Sequence, residues 1–421
     1  MAYYLYLLFI ISYFLHLGAR VPVLGAIRFD LGLVVLIFAA IFLAGKRRSQ
    51  PKVGSTNTIL AILGAYVILT LPLVRWPGSV LNTGIPNLVK AVVFFYYTVA
   101  LIDSPKKLRT FVWIFVLCQV FRVAEPYYLH VTQGYWGSTT TMSEGEMWEQ
   151  MDRLSGAPFD IVNPNGLAFV ITSVYPFLHY LSFTRSILAR LLYWVSIPVL
   201  LQSLLLTASR TGFLAFGIIM FGIFMKSRRK ALLLIVFIAG AAIVFGSLNE
   251  LQKDRFLSIY RSDVPGAETA HGRNEAVWHN FAAGMARPIF GHGLGTSMEV
   301  NANLLGRAQP AHNLYAETFQ ELGALGLIIV IALVVSIFAN FRHVRRDLAR
   351  IPRLDPYYTQ LASAMEVWLL MNLLFSWASY GLSSYEWYLF GGLSVVFRRF
   401  VAQAISAGAA PAPPEQVPRA S

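Results

Sequence analysis

Apolar and polar positions fall in long blocks along this chain, without the short alternation of a half-buried strand. Apolar runs recur at about 2–18, 30–45, 58–74, 86–102, 110–128, 164–183, 187–207, 211–225, 231–248, 316–341, 359–379 and 385–401. A helix of roughly 20 such residues crosses a hydrocarbon core. Lipid leaves the backbone only its own partners, so continuous runs predict helices over a barrel. The fold class expected is all-α: a polytopic helical membrane domain over 1–405 with about twelve transmembrane helices. An Ala/Pro-rich tail, 406–421, reads as disordered.

Charge sets the expected orientation. Basic residues gather in alternate connections: Lys46, Arg47, Arg48 and Lys52; Lys106, Lys107 and Arg109; Arg185; Lys226, Arg228, Arg229 and Lys230; Arg342, Arg345, Arg346, Arg350 and Arg353. By the positive-inside rule both termini are cytoplasmic and the intervening loops lie on the outer side. The net charge of +13 then reads as topological. Scattered over loop ends with no reading motif, it does not point to nucleic acid. Hydrophobic residues make up 56% of the chain and mean hydropathy is +0.57, which excludes one soluble core. The single cysteine, Cys118, allows no internal disulfide. The N-terminus lacks a basic n-region and a small-residue cleavage site, so it reads as a first span.

Two outer segments, about 129–163 and 249–315, are too long to be turns. The first carries Glu144, Glu146, Glu149 and Asp152, then Asn163-Pro164-Asn165-Gly166. Those carboxylates are spaced for solvent more than for a cation. The second holds Lys253, Arg255, Arg261, Arg273, Arg287 and Arg307, and a helical stretch at 274–285. Its histidines, His271, His279, His292 and His312, show no metal-ligand spacing on one helix face, so no metal site is expected. Gly291-His292-Gly293-Leu294-Gly295 follows no buried strand and reads as glycines that turn the backbone sharply, not as a nucleotide cradle.

The segment ends in Pro310–Gly323, where a helix should start and continue through Ile331 into the membrane. Helical spacing puts Asn313, Glu317 and Glu321 on one stripe and His312 on the neighbouring line. Ser209-Arg210-Thr211-Gly212 sits in a tight outer hairpin between two spans. Arg210 there either snorkels to lipid phosphates or holds a phosphorylated ligand. Its planar fork, with Arg273 and Arg287 from the outer loop, suits a diphosphate. A neutral His312 imidazole would accept the proton of an attacking sugar hydroxyl.

In order and spacing these motifs are similar to the signature of the bacterial O-antigen ligase and polymerase superfamily. They are Ser209–Gly212 opening a span, Arg273 followed by Trp278, Arg287–Gly295, and His312-Asn313 with Glu317 and Glu321-Leu322-Gly323. The resemblance covers about residues 160–345. It implies a GT-C-type membrane glycosyltransferase that takes a glycan from undecaprenyl diphosphate at the periplasmic face and inverts the anomeric centre with no metal and no cofactor. His312 would be the base. Arg210 and Arg273 would bind the diphosphate, with Arg287 and Arg261 competing for the second place, and Asn313, Glu317 and Glu321 in support. Lipid A-core is the acceptor expected; a polymerase would extend a lipid-linked glycan instead, and related members glycosylate protein. A transporter or flippase, the reading of another class, would use Glu366 and Asn372 in the eleventh run.

Overall fold

The computed structural model describes residues 1–408 except 46–52, 145–146, 161, 185, 228, 249, 258–266, 307–308, 312, 352–354 and 379–380. It describes the backbone alone at 138–144, 147–151, 236, 241, 243, 244, 247, 251, 255 and 267–274.

Each of the twelve apolar runs falls on a helix. In order these are α1 (Ala2–Leu15), α2 (Phe29–Leu43), α3 (Thr56–Leu69), α4 (Ile85–Leu101), α5 (Pro105–Gln133), α6 (Pro164–Ser182), α7 (Ile187–Thr207), α8 (Arg210–Lys226) and α9 (Lys230–Ser247). The second polar segment contributes α10 (Glu250–Leu257), α11 (Ala267–Gly284) and α12 (Ser297–Leu305), after which come α13 (Leu314–Leu348), α14 (Pro356–Ala378) and α15 (Glu386–Gly408). Local chemistry starts several of them. Ser104, Asn163, Ser186 and Ser209 each accept a backbone N–H three residues on, and Pro105 and Pro164 follow two of these caps, where no N–H is needed.

The chain is a helical membrane protein. Among the described residues five helical segments are long and apolar enough to cross a bilayer: Pro77–Leu101, α7, α13, α14 and Glu386–Ser406 of α15. The twelve crossings expected are more than that length test supports. Helices α1, α2 and α3 are apolar but have only 14 or 15 residues, about 21 Å of rise.

Helix α14 packs on α6 and α8, while α15 packs on α4 and α13. Trp368 lies flat on Phe390 where α14 meets α15. Small and polar residues join the rest. Asn340 of α13 donates to Thr56 of α3 (2.9 Å) and to Ser394 of α15 (3.0 Å), and accepts from Arg398 (2.9 Å). Buried amide and hydroxyl groups need such partners in an apolar bundle, and here they fix which helix faces meet.

The first polar segment departs from an all-α plan. Helix α5 continues to Gln133, and β1 (Gly137–Glu144) pairs antiparallel with β2 (Met147–Leu154), Gly137 opposite Leu154. A run of three threonines, 139–141, favours the extended form. Arg153 ties this hairpin to the bundle: its Nε donates to the Thr207 carbonyl (2.8 Å) and its Nη2 to Asn165 Oδ1 (3.1 Å).

Candidate active site

The run from Asn313 starts as expected and then breaks. Asn313 Oδ1 accepts the N–H groups of Tyr315 (3.0 Å) and Ala316 (2.9 Å), capping α13. At Gly323, φ is 67° and ψ is −169°, so one continuous helix through Ile331 is not what forms. Residues 288–293 run alongside this point. His292 N–H donates to the Gln320 carbonyl (3.0 Å), Gly293 N–H to the Glu321 carbonyl (2.8 Å), and Ala324 N–H to the Pro288 carbonyl (2.7 Å). An unbroken helix would have used the carbonyls of Gln320 and Glu321 for Ala324 and Leu325. The glycine loop takes them, and the helix starts again beyond it. Gly291 (φ 72°), Gly293 (φ 126°) and Gly295 (φ 76°) turn as their sequence predicts. Close approach also demands them: a Cβ on Gly291 would lie 2.3 Å from the Glu321 carbonyl oxygen.

The predicted polar stripe becomes a set of braces. Glu321 is buried and accepts from Gly295 N–H (2.7 Å) and Ser297 N–H (3.1 Å) at the start of α12, where a carboxylate also suits the helix dipole. Glu317 accepts from Gly381 N–H (3.2 Å). Asn313 Nδ2 donates to the Trp377 carbonyl (2.6 Å), and Asn280 of α11 donates to the Ala311 carbonyl (3.1 Å). His312 lies outside the described residues; the residues on either side of it are each tied to a different helix.

Arg210 is the first residue of α8 and is buried; Ser209 beside it donates to Asn165 Oδ1 (2.8 Å) and caps the helix by accepting from Gly212 N–H (3.2 Å). The turn is tight: Ala208 has φ 44°, and a Cβ on Gly212 would lie 2.6 Å from that of Ala168. A guanidinium at the positive end of a helix dipole is unfavourable by itself, and the two together favour an anion. Arg273 belongs to α11, seven residues before Asn280; its side chain, like Arg261, lies outside the described residues. Arg287 donates to the Leu73 carbonyl (2.5 Å) and tethers the turn after α11.

A cavity of about 440 Å³ joins several of these parts. Thr211, next to Arg210, lines it; so do Gly381, whose N–H holds Glu317, and Asn163, Asn165, Asn372, Tyr385, Glu386 and Trp387. Arg287 does not. The cavity also brings in residues that sequence reasoning missed. Arg122 of α5 reaches Asp160 through two hydrogen bonds of 2.6 and 2.9 Å, both groups are buried, and His16 Nδ1 is 3.7 Å from Asp160. An arginine inside an apolar run was the available signal for this pair. Of the two residues a transporter would use, Asn372 borders this cavity, while Glu366 is paired with Lys226 and with Arg345 (3.1 Å).

His292, one of the loop histidines, is buried under Trp76 with ring centroids 5.7 Å apart, and its Nε2 meets the Ala283 carbonyl at 3.1 Å. Burial, with Arg287 and Arg75 nearby, holds its pKa below the usual 6.5 despite that hydrogen bond.

Comparison with curated proteins finds no match. A family model does match: residues 195–331 fit Wzy_C, described as O-antigen ligase. The fitted stretch runs from within α7 to the far side of the break in α13, and so contains Arg210, Arg273, Arg287, the glycine loop, His312, Glu317 and Glu321. It places this part of the chain, and the broken helix built from it, in the O-antigen ligase/polymerase superfamily.

Proposed function

We propose that the protein is an O-antigen ligase-like glycosyltransferase, moving a glycan from undecaprenyl diphosphate to an acceptor, lipid A-core in the first instance, at the periplasmic face of the inner membrane. The carrying observation is that one cavity borders both the Arg210 hairpin, through Thr211, and the Gly381 turn that holds Glu317 five residues beyond His312. In this reading the acceptor hydroxyl oxygen forms a bond to the anomeric carbon as the bond from that carbon to the diphosphate oxygen breaks, which inverts the centre. His312 takes the hydroxyl proton. The electron pair leaves with undecaprenyl diphosphate, and Arg210 and Arg273 stabilise the charge that grows on it. Arg287, bound to the Leu73 carbonyl and off the cavity, tethers the loop instead of touching the diphosphate. The braces on Ala311, Asn313 and Glu317 hold the peptide on both sides of the base, as positioning demands.

The test is transfer by the purified protein from an undecaprenyl-diphosphate glycan to lipid A-core, to a second lipid-linked glycan or to protein, with and without EDTA. Removing a general base costs about 10²–10⁴ in rate. His312→Ala should lose that much, Arg210→Ala should lose release of undecaprenyl diphosphate, and chelation should change neither rate nor product. The reading fails if folded wild type releases no undecaprenyl diphosphate with any acceptor, or if His312→Ala works as well as wild type. Consumption of a lipid-linked glycan in place of lipid A-core would make the protein a polymerase.

A further inference from the structure

A second, larger cavity of about 790 Å³ lies near the C-terminal end of α13, away from the break at Gly323. Its floor is apolar, built from Phe338 of α13 and Leu369 and Leu370 of α14. Its rim is cationic: Arg342, Arg345 and Arg346 stand on α13, Arg346 is held by its neighbour Asp347 (3.1 Å), and the acid in the lining is Glu366 of α14. Glu366 already has two partners, Lys226 at the last turn of α8 and Arg345. The end of α8 is fixed at this level by Gly222, where an added Cβ would lie 2.9 Å from Val367. One carboxylate is thus set against Lys226 and Arg345, which leaves positive charge in excess, and Arg342 has no hydrogen-bond or ion-pair partner among the described residues.

Basic residues at this end of the helices are expected of any membrane protein, so charge alone assigns nothing. The cavity adds the second half: an apolar slot between two helices, opening beside a surplus of guanidinium groups. A free anion would use the rim and leave the floor in water. A neutral lipid would use the floor and leave Arg342 unanswered. We propose that this cavity is a binding site for an anionic glycerophospholipid, its phosphate on Arg342 and Arg345 and an acyl chain along Phe338, Leu369 and Leu370. This is separate from the glycan site and does not depend on it.

Native mass spectrometry of the purified full-length chain, titrated with phosphatidylglycerol, phosphatidylcholine or inorganic phosphate, tests this. Wild type should hold one phosphatidylglycerol more tightly than any phosphatidylcholine. The double variant Arg342→Gln/Arg345→Gln should weaken that binding roughly 30-fold, from two interfacial cations each adding about fivefold. Both side chains are exposed, so the variant should fold. Arg229→Gln/Lys230→Gln removes the same charge outside the cavity and should leave the lipid bound as in wild type. The proposal is overturned if the Arg342/Arg345 variant binds phosphatidylglycerol like wild type, if the control pair loses as much, if phosphatidylcholine binds equally well, or if inorganic phosphate at the lipid's concentration displaces it.

Discussion

Gly323→Ala is the sharpest probe of the broken helix. The backbone there, φ 67° and ψ −169°, belongs to a region open to glycine and costly for any side chain, by about 1–3 kcal/mol. Steric conflict adds to this. A Cβ on Gly323 would lie 2.3 Å from the Ile289 oxygen, 2.4 Å from its carbon and 2.7 Å from the Gly291 nitrogen, all backbone atoms that no rotamer change can move. Relief means parting the two strands of chain, which gives up the bonds from His292, Gly293 and Ala324, worth about 0.5–1.5 kcal/mol each. Together these predict a loss of about 2.5–7.5 kcal/mol. The control is Gly217→Ala in α8, where a Cβ meets nothing within 4 Å and alanine is the better helix former by up to about 1 kcal/mol. Thermal unfolding in detergent, read by survival of the monodisperse peak, should show Gly323→Ala melting well below wild type and Gly217→Ala at or above it. If the two variants melt together, the glycine is not what allows the loop to displace the helical hydrogen bonds.

Two further predictions follow from buried charge. Breaking the Arg122–Asp160 pair from one side leaves the other charge buried, so Arg122→Met or Asp160→Leu should each cost about 3–5 kcal/mol, while the double variant should cost less than either single; a double-mutant cycle of unfolding free energies checks this. Since His292 binds its proton more weakly folded than unfolded, the unfolded chain takes up more protons below about pH 6.5, and stability should fall as pH drops through that value toward the lowered folded pKa. Unfolding of wild type and His292→Gln between pH 7.5 and 5.5 measures it, and equal slopes would refute the assignment.

What could be read from the chain depends on where each structure's cause lies. The apolar runs became helices because lipid offers the backbone no other partner, so pattern alone sufficed. Ser209, Asn163 and Asn313 cap their helices by bonds within three residues, and such signals are local. The break at Gly323 is not local. Gln320 and Glu321 read as helical, and their carbonyls are lost only because residues 288–293, some thirty positions earlier, offer competing N–H groups. The hairpin is similar: its threonines are visible in sequence, but Arg153 is what binds it to Thr207 and Asn165. Of the site, the Arg210 hairpin was legible because an arginine between two apolar runs demands an explanation. Arg122 makes the same demand inside the fifth run, and its answer, Asp160, sits across a long polar segment where no spacing rule reaches. Glu317 and Glu321 show the opposite limit. Their stripe was correctly drawn, yet each carboxylate faces a different loop, Gly381 for one and Gly295 with Ser297 for the other. A shared helix face therefore did not make a shared site. It made two clamps that hold the Gly295 and Gly381 loops against the helix that follows His312, and the sequence could show the acids without showing that backbone N–H groups had already claimed them.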